Sequence, residues 1–209
     1  MTPPAVVLNA IRAVDFIEER QIAGDIVECG VWRGGISMAM AIRLNTIGEP
    51  RNFFLYDTFE GMSAPTDHDV APSGQKAENL LNQIQRNETN HIWAYAPLEK
   101  VRKNLETTGY PMEKMRFVKG PVEETIPGTL PEKIALLRLD TDWYESTRHE
   151  LQHLYPRLST GGVLILDDYG FWAGARKAVD EFFSSLDPRP ALTVVRDGIA
   201  DSAHWAIKP

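Results

Sequence analysis

Residues 134–170 read IALLRLDTDWYESTRHELQHLYPRLSTGGVLILDDYG, and the fold follows from how this stretch is parsed. One apolar run, Ile134-Ala-Leu-Leu, leads to Asp140 and Asp142; a second, Val163-Leu-Ile-Leu, leads to Asp167 and Asp168; a helical segment lies between them. Two short apolar runs bridged by a helix predict a βαβ unit with parallel, buried strands. Ligands of open parallel sheets sit beyond the carboxyl ends of the strands, so both acidic pairs fall on one rim. Up to four carboxylates crowded there repel one another unless a cation lies between them. Their hard oxygen atoms suit Mg²⁺, with Ca²⁺ or Mn²⁺ as alternatives. A single Asp after a strand is ordinarily a helix cap or a turn residue. Two acidic pairs on adjacent strand ends favour a metal site instead.

Upstream, the spacing of Val6, Val7, Ile11, Val14, Phe16 and Ile17 predicts a helix over residues 6–21. Ile26-Val27 then makes a short strand, residues 30–35 a tight loop and residues 36–44 a helix. Glycine permits positive φ and close approach of a ligand, so this unit resembles the start of a nucleotide-type site. Its spacing is not G-x-G-x-x-G, because Gly30 and Gly34 are four apart. A strand over 53–56 delivers Asp57 to the place where an acidic residue commonly grips a ribose; a helix cap is the alternative. Residues 63–96 lack any period at first and predict a long loop, of the kind that often forms a lid, with a short helix over 77–85. Within it, Asp67, His68 and Asp69 are expected to be solvated lid residues first and substrate contacts second, since adjacent loop residues seldom all face one ion.

A helix over 98–108 and a third strand over 115–119 follow. Val122 and Glu123, just past that strand, are candidates to border an adenine ring, with an ordinary strand exit as the equal alternative. Residues 173–186 predict a helix with an aromatic start, where Trp172 either packs or stacks on substrate. Residues 192–196 and 203–207 alternate about Asp197-Gly198, a hairpin signal.

The length of 209 residues fits one domain with a substantial core. A net charge of −7 and the lack of a basic run argue against nucleic acid as a partner. The single cysteine, Cys29, rules out an intrachain disulfide framework and a thiolate metal cluster. With no evident signal peptide and no apolar run of membrane-spanning length, a cytoplasmic location and no membrane partner are expected.

The motifs ECGVWRGG (28–35), YDTFEGM (56–62), RFVKGPVEETIP (116–127), LRLDTDWYEST (137–147), LYPRLSTGGVLILDDYG (154–170) and GARKAVDEF (174–182) together resemble the macrocin O-methyltransferase family. These are sugar O-methyltransferases of macrolide and aminocoumarin antibiotic pathways, and the resemblance spans residues 24–186. It implies an S-adenosylmethionine- and Mg²⁺-dependent enzyme. The implied fold is α/β, a class I methyltransferase-like doubly wound sheet of seven strands, the last antiparallel, with a lid insertion after strand two. By the same resemblance Glu28, Gly30, Trp32 and Gly34 would line the S-adenosylmethionine site, Asp57 and Thr58 would hold its ribose, and Val122, Glu123 and Asp140 would border it. Asp140, Asp167 and Asp168 would hold the metal and Asp142 would be the general base, the exchange of the Asp140 and Asp142 roles being the alternative. The lid around Asp67-His68-Asp69 matches none of the family motifs.

The expected partner is a small-molecule acceptor with adjacent hydroxyls, most simply a sugar on a glycosylated natural product; a homo-oligomer is left open. A catechol-type phenol offers a metal the same two oxygens. A nicotinamide-dependent oxidoreductase would need G-x-G-x-x-G and a proton relay, and gives no reason for Asp167-Asp168. A non-catalytic module gives no reason for the acidic quartet.

Overall fold

In the computed structural model, which describes residues 2–89, 91–195 and 203–209, strands and helices alternate along the chain. In order they are α1 (Pro4–Glu19), β1 (Asp25–Cys29), α2 (Gly35–Ile47), β2 (Phe53–Asp57), α3 (Ala77–Asn82), α4 (Leu98–Glu106), β3 (Met115–Lys119), α5 (Val122–Thr125), β4 (Ile134–Leu139), α6 (Tyr144–Leu154), β5 (Leu158–Leu166), α7 (Ala173–Ser184), β6 (Thr193–Val194) and β7 (His204–Ile207). The seven strands form one sheet in the order β3-β2-β1-β4-β5-β7-β6. All pair in parallel except β7, which runs against both β5 and β6. The expected doubly wound sheet, with its closing antiparallel strand, is what the chain forms.

Burial explains the apolar runs. Every residue of β4 is buried, because helices cover both faces of the sheet. On one face Val14, Ile36, Met40, Val101 and Leu105 bring α1, α2 and α4 onto the strands. On the other, Val122, Leu151, Leu154, Val179 and Phe183 seat α5, α6 and α7. The chain winds from β1 outward through β2 to β3, then restarts at β4 on the opposite side of β1. This reversal opens a crevice at the carboxyl ends of β1 and β4. Gly30 sits there with φ +80°, and a Cβ on it would lie 1.8 Å from the carbonyl oxygen of Asp140. Only glycine lets the two strand ends come this close.

Several elements differ in extent from the expectation, strand β5 most of all. Strand β5 begins at Leu158 rather than at Val163, because Leu158 already pairs with Ile134 and the register slips before Leu136. The polar segment Ser159-Thr-Gly-Gly between them hid half of the strand from a reading keyed on apolar runs. Helix α3 ends at Asn82 rather than continuing to 85. The expected hairpin pairs Thr193 with Trp205 and Val194 with His204, while its Asp197-Gly198 turn lies outside the described residues. No described helix is long and apolar enough to cross a membrane.

Candidate active site

The carboxyl ends of β1, β2, β4 and β5 open into a cavity of about 630 Å³. On the β1–β2 side the glycine loop is shaped by Asp57. Its Oδ2 accepts hydrogen bonds from the backbone N–H groups of Val31 and Trp32, each at 2.8 Å, and its Oδ1 accepts one from Phe59 N–H at 2.6 Å. Burial pushes the Asp57 carboxyl up, and these three N–H donors oppose that. Gly30, Trp32, Asp57, Thr58, Val122, Glu123 and Asp140 all line the cavity, as expected for a cofactor pocket. The indole N–H of Trp32 is shielded from solvent without a hydrogen-bond partner.

Two of the expected lining residues are elsewhere. Gly34 precedes α2 with φ +81°, the left-handed region that favours glycine, and it faces Val101 and Leu105 of α4. Glu28 is fully enclosed beneath the cavity floor, where its carboxylate faces the hydroxyl of Ser37 and, at 2.8 Å, Nη1 of Arg138. Neither residue lines the cavity, because Glu28 is turned into the sheet by its cross-strand partner: Glu28 and Arg138 are opposite one another in the β1–β4 pairing.

Arg138 organises the acidic rim. It is 2 % exposed, and its Nη2 lies 2.8 Å from both Asp140 Oδ2 and Asp167 Oδ1. Burial by itself lowers its pKa, but the charges of Asp140, Asp167 and Glu28 together outweigh burial and raise it. Sequence reasoning passed over this residue. The signal was a charged residue inside the otherwise apolar strand IALLRL, which has to find a buried counter-charge.

Asp140, Asp167 and Asp168 each present a carboxylate oxygen within 4.8 Å of the other two. Burial, together with the charges of Asp167 and Asp168, pushes the Asp140 carboxyl well up against the pull of Arg138. Asp168 is likewise raised by burial and by Asp142 and Asp167. Crowded carboxylate oxygens that repel one another are a donor set fitted to a hard dication.

Asp142 stands apart from this triad. It has φ +66°, and its backbone N–H donates to Asp168 Oδ2 at 3.0 Å. Its own Oδ1 accepts the indole N–H of Trp172 at 2.5 Å. Burial and the charge of Asp140 raise its carboxyl to about 7, with the Trp172 and Asp168 hydrogen bonds opposing. Trp172 therefore both packs, with its ring 4.9 Å from that of Trp143, and forms part of the cavity wall.

The acidic lid trio divides. Asp67 is exposed and pairs with Lys76 at 2.6 Å, and His68 stacks edge-on to Tyr144, so both stay outside the cavity. Asp69 was expected to be solvated and is instead fully buried. Its carboxylate takes up the backbone N–H of Tyr144 and both donors of Thr66, so desolvation is compensated by three hydrogen bonds.

Glu150 of α6 is buried below the rim, with Oε2 accepting the Thr141 hydroxyl at 3.2 Å and Oε1 without a partner. Burial, then the charge of Glu123, pushes its carboxyl well up. A group that keeps its proton longer when folded loses stability as pH rises from the ordinary carboxylate range towards the folded-state value. Glu150→Gln removes that loss. Thermal melts of the variant are expected to exceed wild type at pH 8 and to converge with it near pH 4; an equal difference at both pH values would contradict this account.

The family model for macrocin O-methyltransferase (TylF) matches residues 5–193. An 8-demethyl-8-(2,3-dimethoxy-α-L-rhamnosyl)-tetracenomycin-C 4′-O-methyltransferase of Streptomyces olivaceus is 39 % identical over 175 residues, covering 83 % of this chain and 63 % of that protein. A demethyldecarbamoylnovobiocin O-methyltransferase of Streptomyces niveus is 33 % identical over 194 residues, covering 91 % of this chain and 70 % of that one. The chain thus spans about two thirds of the length of these relatives. The solved structure of the O-methyltransferase NovP superposes with a TM-score of 0.80 at 29 % identity, over 98 % of this chain and 79 % of NovP. The calicheamicin methyltransferase CalS11 gives 0.69 at 19 % over 96 % and 77 %, which supports the fold alone. A match that runs through the glycine loop, the lid and both acidic strand ends leaves one assignment: the chain belongs to the macrocin O-methyltransferase (TylF) family.

Proposed function

We propose that this protein transfers a methyl group from S-adenosylmethionine to a hydroxyl group on the sugar of a glycosylated natural product, with a divalent metal ion, Mg²⁺ by preference, at the acidic rim. The observation that carries the reading is the meeting of two unlike acidic arrangements in one cavity: a three-carboxylate cluster tied to Arg138, and a separate carboxylate, Asp142, held by the indole N–H of Trp172.

The residues fit both groups. No Lys or Arg is among the described residues lining the cavity, whereas Asp57, Glu123, Asp140, Asp142, Asp167 and Asp168 are. Such a wall favours a sulfonium cation and a neutral polyol, and it offers no cationic side chain to the pyrophosphate of a nicotinamide cofactor. S-adenosylmethionine supplies a methyl group on a positively charged sulfur that departs as a neutral thioether. Gly30, Trp32 and the Asp57-ordered loop would seat it, with Val122 and Glu123 beside its base.

Asp140, Asp167 and Asp168 would hold the ion, which when bound lowers the pKa of a hydroxyl it touches and fixes two adjacent acceptor oxygens. Arg138 pairs with Asp140 Oδ2 and Asp167 Oδ1, which ties these two carboxylates to the same guanidinium. Asp142 takes the acceptor proton. Two features support Asp142 rather than Asp140 as the base: it lies outside the triad, and among the described residues it makes no ion pair with Arg138. Trp172 aims it through the indole hydrogen bond. Positioning of donor and acceptor supplies much of the remaining acceleration.

The test is methyl transfer from labelled S-adenosylmethionine to a panel of sugar glycosides and catechols, with and without EDTA. Chelation is expected to abolish turnover, to be reversed by added Mg²⁺, and to leave cofactor binding by calorimetry largely intact. Full turnover by metal-stripped protein would overturn the metal assignment, and turnover of catechols alone would overturn the sugar assignment.

A further inference from the structure

We propose that Asp69 is a positioning residue for the acceptor: buried between the starts of α6 and α7, it ties the lid to the two loops that carry the base and its tryptophan. The proposal rests on reading the cavity as an acceptor site. Asp69 itself does not line the cavity.

The lid returns on itself between Thr66 and Ala77. Asp69 N–H donates to Thr66 O, Ala77 N–H donates to Asp69 O, Val70 bridges to Lys76, and Ala71 N–H donates to Gln75 O. Asp69 Oδ2 accepts from Thr66 N–H at 2.6 Å and from the Thr66 hydroxyl at 3.0 Å. Its Oδ1 reaches out of the lid and accepts from Tyr144 N–H, the first residue of α6, at 2.8 Å. A carboxylate at a helix start gains from both the free N–H and the helix dipole. α7 approaches the same atom: a Cβ on Gly174 would lie 1.9 Å from Asp69 Oδ1. One carboxylate is therefore pressed between two helix starts, and glycine at 174 gives it the room.

Two further bonds run beside it. Trp143 Nε1 donates to Ser63 O at 3.0 Å, and Ala173 N–H donates to Val70 O at 3.1 Å. The anchored residues are immediate neighbours of reactive ones. Tyr144 and Trp143 follow Asp142, and Ala173 follows Trp172, whose indole N–H holds the Asp142 carboxylate. The lid in turn presents Met62, Ala71 and Leu81 to the cavity, packed with Trp143 and Trp172. Asp69 thus sets, with one side chain, where the acceptor wall stands relative to the base. Among the described residues, no hydrogen bond joins the cofactor side of the cavity, around Gly30 and Asp57, to this clamp.

Asp69→Asn, Asp69→Ala and Gly174→Ala separate the effects; the last displaces the carboxylate without removing it. Two measurements are made on each. The first is steady-state methylation of 4-nitrophenyl α-L-rhamnopyranoside with labelled S-adenosylmethionine, alongside calorimetry of S-adenosylmethionine. The second is amide hydrogen exchange of peptides covering 64–76 and 140–147. Misplacement of reactants by about 1 Å costs on the order of 10²-fold, so acceptor kcat/KM is expected to fall about 10–100-fold. The loss should be carried mainly by acceptor KM, with cofactor affinity unchanged and both peptides exchanging faster. An unchanged acceptor KM, an equal loss of cofactor affinity, or a 140–147 peptide that stays protected while 64–76 loosens would each overturn the proposal. Should Asp69→Ala fail to fold, Asp69→Asn and Gly174→Ala decide by the same readouts. Failure of the wild-type protein to methylate the glycoside counts against the sugar reading, and the exchange data then judge the clamp alone.

Discussion

Replacing Asp142 by asparagine is expected to lower kcat by about 10²–10⁴-fold, the usual contribution of a positioned general base. The amide keeps the volume of the side chain and can still accept the indole N–H of Trp172, so the cavity wall stays in place. What is lost is an atom that can take a proton. Asp142 is not one of the three clustered carboxylates, so metal affinity by calorimetry should change far less than turnover. Asp140→Asn should show the opposite balance, losing metal affinity together with activity, since its oxygen belongs to the cluster. If Asp142→Asn retained wild-type kcat while Asp140→Asn abolished it without weakening metal binding, the two roles would have to be exchanged.

Arg138→Met is expected to destabilise the fold by about 3–5 kcal/mol, the cost of breaking a buried ion pair by removing one partner. The variant leaves Glu28 enclosed beside Ser37 with no counter-charge, and removes the bridge between Asp140 and Asp167. Arg138→Lys keeps the charge but not the planar fork that reaches three carboxylates at once, so an intermediate loss is expected. Urea denaturation of the three proteins at pH 7 provides the check. A methionine variant as stable as wild type would mean that Glu28 needs no counter-charge, and the electrostatic account of the rim would fail.

How these residues divide between sequence and structure follows from the range of the forces involved. The apolar runs of β1, β2, β4 and β5 and the acids at their ends could be read directly, because the side-chain period of a buried strand is a local property. Asp140, Asp167 and Asp168 do converge, as the βαβ reading requires. Val122 and Glu123 also reach the cavity, on a single turn of helix past β3. The reading was weakest wherever a side chain's partner is remote. Glu28 in the motif ECGVWRGG sits two residues before Gly30, which does line the cavity, yet Arg138, 110 positions away, draws its carboxylate under the floor. Asp69 lies among Pro, Ser and Gly in a segment of loop composition, and only Tyr144, 75 positions on, makes it a buried acceptor.

Sequence alone thus determined the architecture: alternating elements, seven strands, and a rim on which all the acids must appear, since hydrophobic period and strand direction leave few other packings. Tertiary structure alone set the acids apart. Four aspartates look alike in the chain, and they differ only once Arg138 pairs with two of them and Trp172 hydrogen-bonds a third. Charge and hydrogen bonding act across a few ångströms of space, whatever the separation along the chain.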